Sequence, residues 1–120
     1  MCGIGGYSLF SNSNLIEDNL LKISNAIAHR GPDDKGSYED IDNKIGLVHS
    51  RLSIHDLSSS AHQPMLSEDQ QVVLVFNGEI YNFLELRSEL ISKGVKFNSN
   101  SDTEVLLNLY LLEGEKMLSR

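Results

Sequence analysis

This sequence is short of the features that mark many functional classes. A single cysteine among 120 residues excludes an intramolecular disulfide framework. Basic residues are the minority, ten Lys and Arg against 17 Asp and Glu, for a formal charge of -7. They are scattered, whereas phosphate backbones need clustered cations, so nucleic acid is not an expected partner. No apolar stretch approaches the ~20 residues that span a bilayer, so no membrane is expected either. The start, MCGIGGYSLF, lacks the basic head and long apolar segment of a secretory signal, and Gly does not directly follow Met1 as myristoylation requires. The expected compartment is therefore the cytoplasm. Neither GxGxxG nor GxxxxGK[ST] occurs, which removes the common phosphate-binding loops. His29, His49, His55 and His62 lack metal-site spacing and are read as structural or surface residues, so no metal site is expected. Repeats, low-complexity tracts and interior domain boundaries are missing too, leaving one domain's worth of chain or a piece of one.

What is present alternates between strand and helix patterns. GIGGYSLF (3–10) is a glycine-broken strand whose glycines allow other groups to come close. Ile16, Leu20, Ile23 and Ile27 recur at helical spacing, giving a helix over 16–28 capped by Ser13 or Asn14 and stopped by Gly31 and Pro32. A hairpin follows, with strands near 36–39 and 45–50 and a turn at Asp42 and Asn43. The polar segment 55–69 is too long for a simple turn. VVLVFNG (72–78) is the least ambiguous strand, its unbroken apolar run implying burial on both faces. A helix over 81–93 turns Phe83, Leu86, Leu90 and Ile91 inward and ends at Gly94; VKF (95–97) is a short strand. SDTE (101–104) has capping-box character and opens a last helix over 103–112.

Several residues have types suited to chemistry, each with a plainer alternative. Cys2 becomes N-terminal if Met1 is removed. The freed α-amine, with a reference pKa near ~8, can then serve as base for the adjacent thiol; the plainer reading is a small core cysteine. Asn77 and Gly78 sit between a strand and a helix, where the Asn amide and backbone N–H groups can hold an oxyanion, or simply form a turn. Arg51, at a strand end, can clamp a carboxylate bidentately or lie at the surface. Glu79 and Asp102 flank helix starts, as capping acids or as partners of an ammonium group.

Taken together, MCGIGGY, AHRGPDD, HSRLSIHDLS with HQPM, and VFNGEIYNFLELRSEL followed by SDTEVLL resemble the glutaminase domain of class II glutamine amidotransferases, in that family's order. The wording of HRGPDD and RLSIHDL is similar to the glutamine-hydrolysing asparagine synthetases. The resemblance covers essentially all of residues 1–120. It implies an α+β fold, the N-terminal-nucleophile (Ntn) hydrolase αββα sandwich. It also implies that Cys2 attacks the glutamine amide to form a thioester while Asn77 and Gly78 stabilise the oxyanion. Arg51 would hold the substrate α-carboxylate, and Glu79 and Asp102 its α-ammonium. No cofactor is implied for this step; ATP and magnesium would belong to a synthetase domain that receives the ammonia. That synthetase domain, with its pyrophosphate-binding loop, is absent from the 120 residues, which are expected to be the N-terminal part of the glutaminase domain. On that reading the sandwich is incomplete, turnover by these residues alone is weak or absent, and open sheet edges favour pairing into a homo-oligomer. Two other readings keep their place: an amidotransferase acting on a sugar carboxylate, and a non-catalytic module binding glutamine or a protein.

Overall fold

The computed structural model describes residues 2–9, 16–52 and 59–120. The fold is α+β. Strand β1 (Gly3–Ser8) leads to helix α1 (Ile16–Ile27), and a 3-10 turn (Ala28–Arg30) precedes the hairpin β2 (Asp34–Asp40) and β3 (Ile45–Arg51). A second 3-10 turn (Ser59–Ala61) leads to the short strands β4 (Met65–Leu66) and β5 (Val73–Leu74). Helices α2 (Phe83–Ser92) and α3 (Asp102–Glu113) follow, and a 3-10 segment (Gly114–Ser119) comes last. The first three strands form an antiparallel sheet in the order β1-β3-β2, and β4 and β5 form a two-stranded antiparallel pair.

Strand β3 lies between two neighbours, so its side chains alternate between two covered faces. One face receives α1. Gly5 pairs with Val48, and a Cβ on Gly5 would stand 2.5 Å from the Ile23 side chain; one on Gly46 would meet Leu20 at 2.8 Å. Glycine at these strand positions lets the apolar face of α1 sit directly on the sheet. The opposite face carries His49 and Arg51, with Ile4 across from His49. In the hairpin, Asp40 closes the turn by accepting from the backbone N–H (2.9 Å) and side-chain amide (2.8 Å) of Asn43, and both contacts hold its carboxyl below the usual carboxylate range.

A second apolar cluster joins the two later helices. Leu86, Leu90, Val105 and Leu109 are buried together, with Ile80, Phe83, Val95, Phe97 and Met117 packed against them. Ser101 caps α3 by accepting from the Glu104 N–H at 3.2 Å. The Glu104 carboxylate does not return to its own cap. It accepts instead from the N–H groups of Asn98 and Ser99, both at 2.7 Å, and so folds the preceding turn onto the helix start.

Four expectations are corrected. The segment 72–78 is not one long buried strand: only Val73 and Leu74 pair, and 72–76 are half-buried. Beyond Leu74 the backbone is held by side chains, since Gln63 Oε1 takes the Phe76 N–H at 2.6 Å. Residues 95–97 form no strand; the Val95 N–H closes α2 on Leu90 O at 3.0 Å, and Phe97 lies under the Arg87 guanidinium, 4.1 Å from the ring centre. Helix α2 starts at Phe83 rather than Tyr81, whose side chain is exposed. Ile91 faces outward, 53 % exposed, because the buried stripe runs from Leu86 to Leu90, one turn apart. The proposed caps Ser13 and Asn14, and His55, lie outside the described residues.

The contrast between neighbours on α2 is testable by urea unfolding of single variants. Leu90→Ala should cost about 2–5 kcal/mol, as truncations of buried leucines do. Ile91→Ala should stay within about 0.5 kcal/mol.

Candidate active site

A cavity of about 330 Å³ opens where the first sheet, the end of β5 and the start of α3 converge. Cys2, Arg51, Asn77, Gly78, Glu79 and Asp102 all line it. The sequence positions singled out as candidates thus come from four separate chain segments into one place. Period-two alternation explains part of this: Cys2 and Ile4 on the β1 side, and His49 and Arg51 on β3, share the sheet face turned away from α1.

Cys2 is half-buried, and its thiol is placed by backbone. The Leu52 N–H donates to Sγ at 3.3 Å, and Leu52 O lies 3.6 Å from the same sulfur. Arg30 Nε donates to the Cys2 carbonyl at 3.2 Å, so the loop after α1 tethers the start of β1. That loop crosses the end of β3 at Gly31, where a Cβ would fall 2.3 Å from Ser50 O and 2.4 Å from the Arg51 carbonyl carbon. Only a residue without a side chain fits, and the Asp33 N–H then donates to Arg51 O at 3.0 Å. Arg51 itself is 8 % exposed.

The other wall is held by α3. The Asp102 carboxylate accepts from the Ile80 N–H at 3.1 Å, joining the Asn77–Gly78–Glu79 segment to the helix start. Asp102 is therefore more than an acid near a helix N-terminus; it fixes the loop beside it. Asn77, Gly78 and Glu79 are exposed at the cavity mouth.

Sequence reasoning did not single out Gln63. It is buried at 6 % exposure, lines the cavity, and uses both ends of its amide: Oε1 accepts from Phe76 N–H and Nε2 donates to Thr103 Oγ1 at 3.2 Å. Nor was the part played by His49 visible. Its Nε2 lies 3.3 Å from Phe76 O, and because a carbonyl only accepts, that nitrogen carries the hydrogen. A glutamine next to proline and a histidine in a strand are common, and only the fold brings them to the backbone of one residue, Phe76. His62 accounts for itself differently, pairing its Nδ1 with Asp34 Oδ2 at 2.6 Å near the surface. Among the described residues no cluster of three or more His, Cys, Asp or Glu is placed to hold a metal ion, and no helix is long and apolar enough to cross a membrane.

Comparison with known proteins places the chain in a class. The family described as the glutamine amidotransferase domain matches residues 1–120, and the chain belongs to it. Among its relatives is a putative glutamine-hydrolysing asparagine synthetase 2 of Methanocaldococcus jannaschii, 40 % identical over 92 % of this chain and 24 % of that protein. Asparagine synthetase 1 of Bacillus subtilis is 41 % identical over 100 % of this chain and 19 % of its own length. Asparagine synthetase 1 of Arabidopsis thaliana is 41 % identical over 92 % of this chain and 18 % of its own length. The chain thus spans roughly a fifth to a quarter of the curated relatives it matches.

Burial is the main cause that pushes the His49 pKa below its ordinary value of 6.5, and the nearby Arg51 charge adds to it; the bond to Phe76 O opposes both. The folded chain therefore resists taking a proton at a pH where the unfolded chain accepts one. Stability is full above about pH 6.5 and declines as pH falls from there toward the depressed value. Thermal melting followed from pH 7.5 to 5.5, above the carboxylate range, should show a falling midpoint that is shallower in His49→Gln.

Proposed function

We propose that the chain carries the glutaminase half-reaction of an amidotransferase of the asparagine synthetase type. The observation that carries this reading is the convergence of Cys2, Arg51, Asn77, Gly78, Glu79 and Asp102 on one cavity in a member of the glutamine amidotransferase domain family. Its volume lies at the small end of the range for ligand pockets, in keeping with an amino acid substrate.

Removal of Met1 exposes the Cys2 α-amine, which takes the thiol proton as the sulfur adds to the glutamine side-chain carbon. The Asn77 amide and the Gly78 N–H receive the oxyanion of the tetrahedral intermediate. Collapse breaks the carbon–nitrogen bond, the amine proton goes to the leaving nitrogen, and ammonia departs from a thioester. Water then attacks that thioester and releases glutamate and the free thiol. Arg51 pairs with the α-carboxylate of the substrate, a contact its planar fork suits. Glu79 and Asp102 take the α-ammonium; the bond from Ile80 N–H uses Oδ2 of Asp102 and leaves the charge of the group available. Ammonia passes to a synthetase domain, consistent with the names of the relatives, and ATP and magnesium act there. The glutaminase step calls for neither.

Intact mass before and after treatment with 6-diazo-5-oxo-norleucine, a glutamine analogue that alkylates such nucleophiles, tests the reading without requiring turnover. Loss of Met1 and gain of one adduct are expected, with no adduct in Cys2→Ala. A Met1-free chain that stays unmodified at saturating reagent would overturn it. Arg51→Lys keeps the charge but loses the fork. The concentration giving half-maximal alkylation should then rise roughly ten-fold, the effect of losing one charge-assisted hydrogen bond.

A further inference from the structure

Where β5 ends at Leu74, the chain must still deliver Asn77 and Gly78 to the cavity with fixed direction. Regular strand pairing would do this by a ladder, and here no ladder reaches them among the described residues. Both backbone polar groups of Phe76, which belong to the two successive peptides flanking its Cα, are instead taken by buried side chains from other parts of the chain. Gln63 Oε1 accepts the Phe76 N–H at 2.6 Å, and His49 Nε2–H donates to Phe76 O at 3.3 Å. Gln63 and His49 are 6 % and 1 % exposed, so neither contact competes freely with water. The far end of Gln63 reaches Thr103 Oγ1, in the first turn of α3 directly after Asp102.

We infer that Gln63 is a positioning residue for the oxyanion-binding segment: by joining the Phe76 N–H to Thr103 Oγ1, it sets Asn77 and Gly78 in register with the α3 wall of the cavity. The inference rests on the proposed glutaminase function and assigns that site a determinant outside its six lining candidates. The geometry makes the role selective. Arg51 is fixed by the β3 ladder, and Asp102 by its bond with Ile80 N–H and by the Ser101 cap. Loss of Gln63 therefore disturbs Asn77 and Gly78, the residues next to Phe76, more than Arg51 and Asp102, while Glu79 stays beside Ile80, whose N–H remains tied to Asp102. Asn77 follows Phe76 by one residue, and Gly78 folds back so closely that a Cβ there would meet the Phe76 ring at 2.7 Å. A shift of the Phe76 peptide is thus passed directly to both donors.

The test uses the whole 120-residue chain with Gln63→Leu, Gln63→Glu and Thr103→Val, held well below each melting temperature. Time courses of Cys2 alkylation by 6-diazo-5-oxo-norleucine separate the maximal rate from the half-saturating concentration. Gln63→Leu should lower the maximal rate roughly 10- to 100-fold, the scale of an ångström-sized misplacement. The half-saturating concentration should change less than about three-fold, within the scatter of a single weak contact. Gln63→Glu, which keeps an acceptor for Phe76 N–H and meets the Thr103 hydroxyl, should recover most of the rate, and Thr103→Val should move it in the same direction as Gln63→Leu. A lower melting temperature with an unchanged maximal rate in Gln63→Leu overturns the positioning role. Amide hydrogen exchange in the same variants gives a readout that does not depend on glutamine chemistry. Protection at Phe76, and with it at Asn77 and Gly78, should fall in Gln63→Leu and persist in Gln63→Glu; unchanged protection also overturns the inference. Absence of alkylation in the parent chain counts against the glutaminase reading, while the exchange result still decides for or against the clamp.

Discussion

The pairing of β3 with strands on both sides is the constraint on which this molecule depends. A central strand cannot choose its faces independently: each residue step reverses the direction of the side chain. With Val48 given to α1, His49 and Arg51 must point the other way, and there they meet the segment that follows β5. The glycines opposite α1 allow the helix to settle on one face without spreading the sheet. Arg51 is buried on the other face, at a strand end where the Leu52 N–H donates to Cys2 Sγ and Gly31 packs on the backbone of Ser50 and Arg51. A one-residue slip of β3 would exchange the two faces and dismantle both the α1 interface and the cavity at once.

Much of this was legible from residue order. Helical spacing located α1 and the buried stripe of α2, the Asp-rich turn located the hairpin, and SDTE located the start of α3, each because the signal is local. The candidate site residues were legible as types and order, through the family motifs and not through periodicity. What failed was whatever depends on distant cover. VVLVF has the composition of a buried strand, but a strand needs neighbours, and pairing stops at Leu74 because a glutamine side chain, not another strand, meets Phe76. VKF likewise alternates as a strand would, yet Arg87 occupies one side of Phe97. Ile91 satisfies helical spacing as well as Leu90 does, and only the position of α3 decides between them. Gln63 and His49 were invisible as holders of Phe76 since their contacts span 13 and 27 residues.

Electrostatics and packing divide the work between the two halves of the cavity. On the sheet side, Arg51 is buried, and burial also lowers the pKa of His49. On the helix side the groups are acids, presented from the first turn of α3 and the loop before α2, where the N–H groups of the chain favour negative charge. The cavity thus has Arg51 on one side and Glu79 and Asp102 on the other.

The contact between Cys2 and Leu52 has a consequence for how the site tolerates change. The sulfur is held by the N–H and carbonyl of residue 52, groups that every amino acid except proline supplies in full. At Gly31, where a Cβ would fall 2.3 Å from Ser50 O of the same strand end, no side chain fits. The immediate seat of the Cys2 sulfur therefore depends on backbone groups, while the crossing at Gly31 beside it admits a single residue. The bonds to the sulfur would survive side-chain changes at residue 52 that the crossing at residue 31 would not, so variability along this chain would be a poor guide to distance from the cavity.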